Sequence, residues 1–215
     1  MHLARGLIFS SNGGPRGGSN HYNNNSHCKP NMNFLETKLD GVFIIEPDFF
    51  SDHRGVFVKT FHKGEFRQRG LEADFMENFF SESKRNVIRG MHFQTPPRDH
   101  AKLIYITRGT IIDVVLDIRN NSPHYGGFIT AELSDINKKM IYVPRGCAHG
   151  FAVVSELACV VYLQTSMHKP DYDAGILWNS FSMDWDIDDP IISDRDRGFP
   201  KLKDYQSPFY FGGKP

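Results

Sequence analysis

Pro144-Arg145-Gly146-Cys147-Ala148-His149-Gly150-Phe151 ends an apolar run and carries the P-x-G-x-x-H spacing found in small double-stranded β-barrels. Upstream, residues 86–102 read N-V-I-R-G-M-H-F-Q-T-P-P-R-D-H-A-K and set His92, two arginines and a lysine beside a short apolar strand pattern. Together the two stretches predict a polar pocket inside a β-barrel.

Outward from them, short β-like segments recur at 42–45, 56–61, 87–93, 103–107, 111–118, 128–133, 140–143, 151–154 and 159–164. Turn formers such as Arg108-Gly109, Asn120-Asn121-Ser122-Pro123 and Ser134-Asp135-Ile136-Asn137 separate them. Many short strands at spacings of about 8 to 12 residues argue for an antiparallel sandwich or barrel rather than alternating β and α units. The main helical candidate is 63–70. Strict alternation would point Arg89 and His92, three positions apart, to opposite faces. Gly90 between them permits a bulge that turns both inward, and one is expected there.

The 215 residues fit one domain of ordinary size. Lys+Arg and Asp+Glu balance at 25 each, so the overall field gives no reason to expect a nucleic acid or an anionic membrane as partner. Cys28, Cys147 and Cys159 are too scattered for a disulfide framework or a C-x-x-C zinc site, and a reducing, cytoplasmic setting is expected. No apolar run approaches the roughly 20 residues of a membrane span. Residues 1–31 lack acidic side chains and are rich in Asn, Gly and Ser, which predicts a disordered or non-native leader before a natural start at Met32. The folded domain is expected over 32–204, with 205–215 as a loose tail.

Asp52-His53-Arg54-Gly55-Val56-Phe57, Arg89-Gly90-Met91-His92-Phe93-Gln94, Lys102-Leu103, the 144–151 box, Tyr162, Ala174-Gly175-Ile176-Leu177-Trp178 and Ile192-Ser193-Asp194-Arg195-Asp196 occur in that order. In order and rough spacing they resemble the dTDP-4-dehydrorhamnose 3,5-epimerase family. The resemblance implies an all-β, cupin-type jelly roll (a double-stranded β-helix) with short peripheral helices. It also implies a homodimer in which N-terminal strands extend the partner's sheet. The implied reaction is epimerisation of a nucleotide-diphosphate-linked 4-keto-6-deoxy sugar at C3, C5 or both, in deoxysugar biosynthesis, with no metal and no organic cofactor.

Such chemistry needs a base, an acid on the opposite face and a cation at the carbonyl oxygen. His92 is the expected base, since an imidazole of reference pKa about 6.5 lies close to working pH. By resemblance Asp196 is the carboxylate that orients it, with Asp194 as the substitute. Lys102 is expected to stabilise the enolate, whose charge develops only as the proton leaves. A core tyrosine is the ordinary reading of Tyr162 on its apolar strand, and its place in the pattern makes it the acid. His149, Gln94 and Ser81 are expected at the substrate. Arg54, Arg89 and Arg195 are candidates for the diphosphate, because guanidinium forks pair with phosphate oxygens. Phe57 either lines the nucleotide or fills the core, and Asp113 and Asp117 are read as structural.

The chain departs from the family pattern at the nucleoside end. Lys59 stands where the family has glutamate, Glu77-Asn78-Phe79-Phe80-Ser81 replaces Q-D-N-H-S, and Leu163 and His168 replace a lysine and an aromatic. These changes make cytidine an alternative base. Relatives acting at one carbon, or shifting the ketone between C3 and C4, would share most of the boxes. Two further classes remain: a metal-dependent cupin, which wants an H-x-H pair absent here, and an inactive sugar-nucleotide-binding module.

Overall fold

The computed structural model describes residues 32–213, so the expected leader, 1–31, lies outside the described residues. In chain order the strands are β1 (Asn33–Glu36), β2 (Phe43–Glu46), β3 (Phe49–Asp52), β4 (Gly55–Val58), β5 (Glu77–Lys84), β6 (Ile88–Gln94), β7 (Lys102–Arg108), β8 (Thr110–Asp117), β9 (Phe128–Ser134), β10 (Met140–Val143), β11 (Cys147–Val153), β12 (Leu157–Gln164) and β13 (Asp173–Gly175). Two short helices, α1 (Lys63–Gln68) and α2 (Asp194–Arg197), lie outside the sheets. Among the described residues, no helix is long and apolar enough to cross a membrane.

Six strands form one sheet in the order β1-β2-β10-β7-β12-β5, and five form a second in the order β13-β6-β11-β8-β9. Among the described residues, strands β3 and β4 pair only with each other. The result is the all-β, cupin-type jelly roll expected from the sequence. Each of the nine segments read as β falls on a strand, but β11 begins at Cys147 rather than 151, which puts His149 on the strand itself. Strand β5 escaped pattern reading because E-N-F-F-S-E-S-K keeps little of itself inside, as suits an outer strand with one neighbour.

Alternation sorts each strand into an inner and an outer face. Ile104 and Ile106 of β7, Ile111 and Val115 of β8, Phe151 and Val153 of β11, and Ala158 and Val160 of β12 meet between the sheets in one apolar cluster. The same inner faces carry Lys102, Asp113, His149, Tyr162 and Gln164, all buried. The barrel interior is therefore apolar at one end and polar at the other. The outer face of the second sheet, including Met91, Phe93, Val114 and Leu116, is covered by Ile176, Trp185 and Phe209 from the C-terminal segment.

That covering corrects the expectation of a loose tail. Phe209 is buried and its ring lies 5.8 Å from that of Phe93. Asn120 N–H donates to Phe209 O at 2.9 Å, and Phe211 N–H donates to Asn120 O at 2.9 Å. Phe209, Tyr210 and Phe211 were the signal: an aromatic cluster at a chain end finds apolar surface to bury.

The bulge lies where the sequence placed it. His149 of β11 pairs with His92 of β6 and Phe151 with Arg89, so two steps along β11 span three along β6. Gly90 has φ +137° and its backbone lies so close to β11 that an added Cβ would come 2.5 Å from Gly150 Cα. Substituting Gly90→Ala should destabilise the protein by roughly 3 kcal/mol, the sum of a left-handed backbone penalty and overpacking against rigid backbone. Urea unfolding measures this, and a loss under about 1 kcal/mol would contradict the packing described.

Candidate active site

A cavity of about 390 Å³ opens at the polar end of the barrel. It falls in the range of small-molecule sites. Strand β6 supplies Arg89 and His92, β7 supplies Lys102, β11 supplies His149, β12 supplies Tyr162 and Gln164, and β5 supplies Ser81. Arg195 of α2 reaches the same cavity. Three of the four residues expected to carry catalysis thus line one space, and the fourth, Asp196, stands directly behind His92.

Helix α2 is a single turn whose Ser193 side chain accepts from Asp196 N–H, and that cap fixes where Asp196 points. Its Oδ1 lies 2.9 Å from His92 Nε2, and its Oδ2 accepts from Gly90 N–H at 3.1 Å. Burial pushes the Asp196 carboxyl up, but His92, the Gly90 N–H and Arg195 together hold it far below the ordinary carboxylate range. Burial pulls the His92 imidazole below its usual value; Lys102 and Arg195 reinforce this and Asp196 opposes it. A neutral imidazole beside an anionic carboxylate follows. Arg195 Nη2 also lies 2.8 Å from His92 Nε2. One ring nitrogen cannot serve both, since a guanidinium only donates and a carboxylate only accepts.

Lys102 Nζ donates to His92 O at 3.0 Å. Burial brings its ammonium down to about 8, with the charges of Asp173 and Asp113 opposing. A lysine so placed holds its charge with little water around it, the setting in which a cation acts most strongly on a developing anion. Tyr162 OH lies 3.4 Å from Ser81 Oγ. Burial, with the Asp113 charge adding to it, raises the phenol well above its ordinary value.

His149 Nε2 meets Asp113 Oδ2 at 2.7 Å, with both side chains buried. Asp113 is therefore the partner of a cavity residue as well as a part of the wall. A carboxylate among strand apolars requires a partner, and that requirement was the signal in the sequence. Asp117 matches its structural reading: it binds Arg119 at 2.8 Å and Ser122 Oγ at 2.7 Å, away from the cavity.

Other expectations are placed differently. Gln94 reaches the cavity wall, but its amide is committed inward, donating to Arg98 O at 2.8 Å and accepting from Lys169 N–H at 2.6 Å. Arg195 pairs with Asp173 at 2.8 Å and with Asp196 at 3.1 Å, so its fork is engaged beside His92. Arg89 Nε donates to Ser83 Oγ at 2.9 Å. Arg54 and Phe57 lie on the β3–β4 hairpin and do not line the cavity: Arg54 pairs with Asp52, and the Phe57 side chain is exposed. Unforeseen in the wall are His100 and Asp173, while Glu77 and Phe79 come from the segment read as the nucleoside end. Among the described residues no group of three or more His, Cys, Asp or Glu side chains is gathered as a metal site.

Folding lowers the Asp196 pKa, so its contribution to stability is present above the ordinary carboxylate value of about 3.9 and is lost as pH falls through the folded value. Asp196→Asn should therefore be less stable than the native protein at pH 7 and decline less steeply below pH ~4. Urea midpoints measured from pH 7 to 3 test this, and parallel declines would contradict it.

Against known proteins, residues 36–204 match the family model described as dTDP-4-dehydrorhamnose 3,5-epimerase. A dTDP-4-dehydrorhamnose 3,5-epimerase from Methanothermobacter thermautotrophicus is 41% identical over 182 residues, 82% of this chain and 97% of its own length. A dTDP-4-dehydrorhamnose 3-epimerase from Streptomyces niveus is 33% identical over 162 residues, 74% of this chain and 78% of its own. The crystal structure of a dTDP-6-deoxy-D-glucose-3,5-epimerase from Legionella pneumophila, in complex with dTDP-4-keto-L-rhamnose, superposes with a TM-score of 0.81 at 31% identity and covers 85% of this chain and 100% of that one. With a family model matching residues 36–204, the same fold and this extent of identity, the chain belongs to the dTDP-4-dehydrorhamnose 3,5-epimerase family.

Proposed function

We propose that this protein epimerises a dTDP-linked 4-keto-6-deoxy sugar by removing the proton from a carbon next to the ketone and returning one to the other face. The observation that carries the reading is the convergence of His92, Lys102 and Tyr162 on one cavity, with Asp196 at 2.9 Å behind the imidazole. His92 donates Nε2–H to Asp196, which leaves the Nδ1 lone pair to take the substrate proton and lets the carboxylate stabilise the imidazolium. Lys102 holds the oxygen on which the enolate charge collects. Tyr162 returns the proton from the opposite side, its raised pKa keeping it protonated until the enolate carbon is presented.

Arg89 and Arg195 at the cavity hold the substrate's anionic end, Arg89 being the one whose guanidinium is least committed to carboxylates. Thymidine is the base in this reading. Of the departures that pointed to cytidine, Lys59 and Phe80 do not line the cavity, and the Phe79 ring is stacked on Tyr162. Epimerisation at C3 alone is the second reading, favoured by the Streptomyces niveus relative's activity at that carbon. The cytoplasm is the compartment this implies, with Cys147 and Cys159 as free thiols.

Incubation with dTDP-4-keto-6-deoxyglucose in D2O, with NMR to locate the label, tests the reaction. Deuterium at both C3 and C5 is expected, and label at C3 alone selects the second reading. His92→Ala should slow incorporation by about 10²–10⁴-fold. Undiminished exchange in that variant would remove His92 as the base.

The working unit in this reading is a homodimer. A two-stranded hairpin is marginal on its own, yet β3–β4 exposes Phe49, Phe50, Val56 and Phe57 and, among the described residues, pairs with no other strand. A second copy would cover it and would carry Arg54 and Phe57 to a neighbouring site. Sedimentation should give twice the chain mass, and Phe50→Asp should shift the protein toward monomer; a native monomer at micromolar concentration would overturn the assignment.

A further inference from the structure

Phe79 is the direct cross-strand neighbour of Tyr162 in the β5–β12 ladder. Their rings lie 4.8 Å apart at 18°, face to face, whereas His149 meets the same phenol ring edge-on at 6.3 Å. Strand β5 is the outer strand of its sheet, and Phe79 is 40% exposed. A half-exposed phenylalanine on a polar outer strand adds little to the core. Its ring does, however, form part of the cavity wall.

Besides the edge-on His149 ring, two contacts hold the phenol, and they differ in strength. The Ser81 Oγ to Tyr162 OH distance of 3.4 Å is long for hydroxyl pairs, whose preferred separation is about 2.7–2.8 Å. That tether is weak. The stacked pair is close and nearly parallel, in the range where ring pairs add attraction beyond the area they bury. The face of Tyr162 is therefore held chiefly by Phe79.

Resting on the reading of Tyr162 as the acid, we propose that Phe79 is a positioning residue for reprotonation. Its ring fixes the phenol in the orientation that delivers a proton to the enolate face opposite His92. The enolate has two fates. Return from the His92 side, after the imidazolium has exchanged with solvent, gives labelled sugar of unchanged configuration. Delivery from Tyr162 gives labelled sugar of inverted configuration, and the phenolate then regains its proton from water. Phe79 governs the ratio of the two fates and leaves the first proton abstraction to His92.

The test is that ratio, measured by NMR at initial rates in D2O with dTDP-4-keto-6-deoxyglucose. Phe79→Ala should lower inversion relative to return by roughly three- to tenfold, the range that the loss of one aromatic pair implies. Exchange that persists in the variant shows that it is folded, and the ratio is read against that exchange. Phe79→Tyr should restore the ratio. A native ratio in Phe79→Ala overturns the proposal, and so does an equal loss of exchange and inversion. Tyr162→Phe separates this from the reading beneath it. If Tyr162→Phe lowers the ratio and Phe79→Ala does not, the acid assignment stands and the role of Phe79 falls; if Tyr162→Phe leaves the ratio unchanged, both fall.

Discussion

The site depends on one backbone contact, the approach of β6 to β11 at Gly90 and Gly150. An added Cβ at Gly150 would come 2.8 Å from Arg89 O, and one at Gly90 would come 2.5 Å from Gly150 Cα. Two facing glycines let the strands close on each other while one carries an extra residue. That extra residue reverses the alternation, so Arg89 and His92 share the cavity. The same glycine offers its N–H to Asp196, so the residue that turns the imidazole inward also anchors the carboxylate behind it.

A polar cluster inside a barrel is costly unless each group is answered. Here the answers come in pairs: Asp196 with His92, Asp113 with His149, Lys102 with a backbone carbonyl. Two buried atoms among the described residues have no partner, His100 Nε2 and Asp113 Oδ1. Burial and the charge of Lys102 pull the His100 imidazole down to about 3, so it stays neutral rather than adding another cation to a wall that holds Arg89, Lys102 and Arg195. The apolar end of the barrel, packed by Ile104, Ile111, Val153 and Val160, supplies the rigid floor beneath these pairs.

Much of this was legible in the residues. Alternation and turn chemistry marked the inner strands, and the interval from Arg89 to His92 demanded a bulge at the glycine between them. What escaped has physical causes. Strand β5 has a mostly polar sequence because it faces solvent on an outer edge. Phe209 looked like part of a frayed end because the apolar surface it covers, Phe93 of β6 included, comes from strands far earlier in the chain. Asp113 gave no sign of its partner, since the register that brings His149 to it is set by pairing between β8 and β11 and not by local sequence. Gln94 matched the family box, yet its hydrogen bonds are all spent on holding neighbouring backbone and His100.

The C-terminal segment does more than cover a sheet. Ile191 pairs with Val87 at the start of β6, and five residues later Asp196 reaches the bulge. Every other side chain given a part in the proposed proton transfer lies between positions 79 and 162. During synthesis on the ribosome the strands that line the cavity emerge before α2, so its strand walls precede the carboxylate that faces His92. A chain clipped before α2 would thus keep the strands that wall the cavity but lack the carboxylate behind His92.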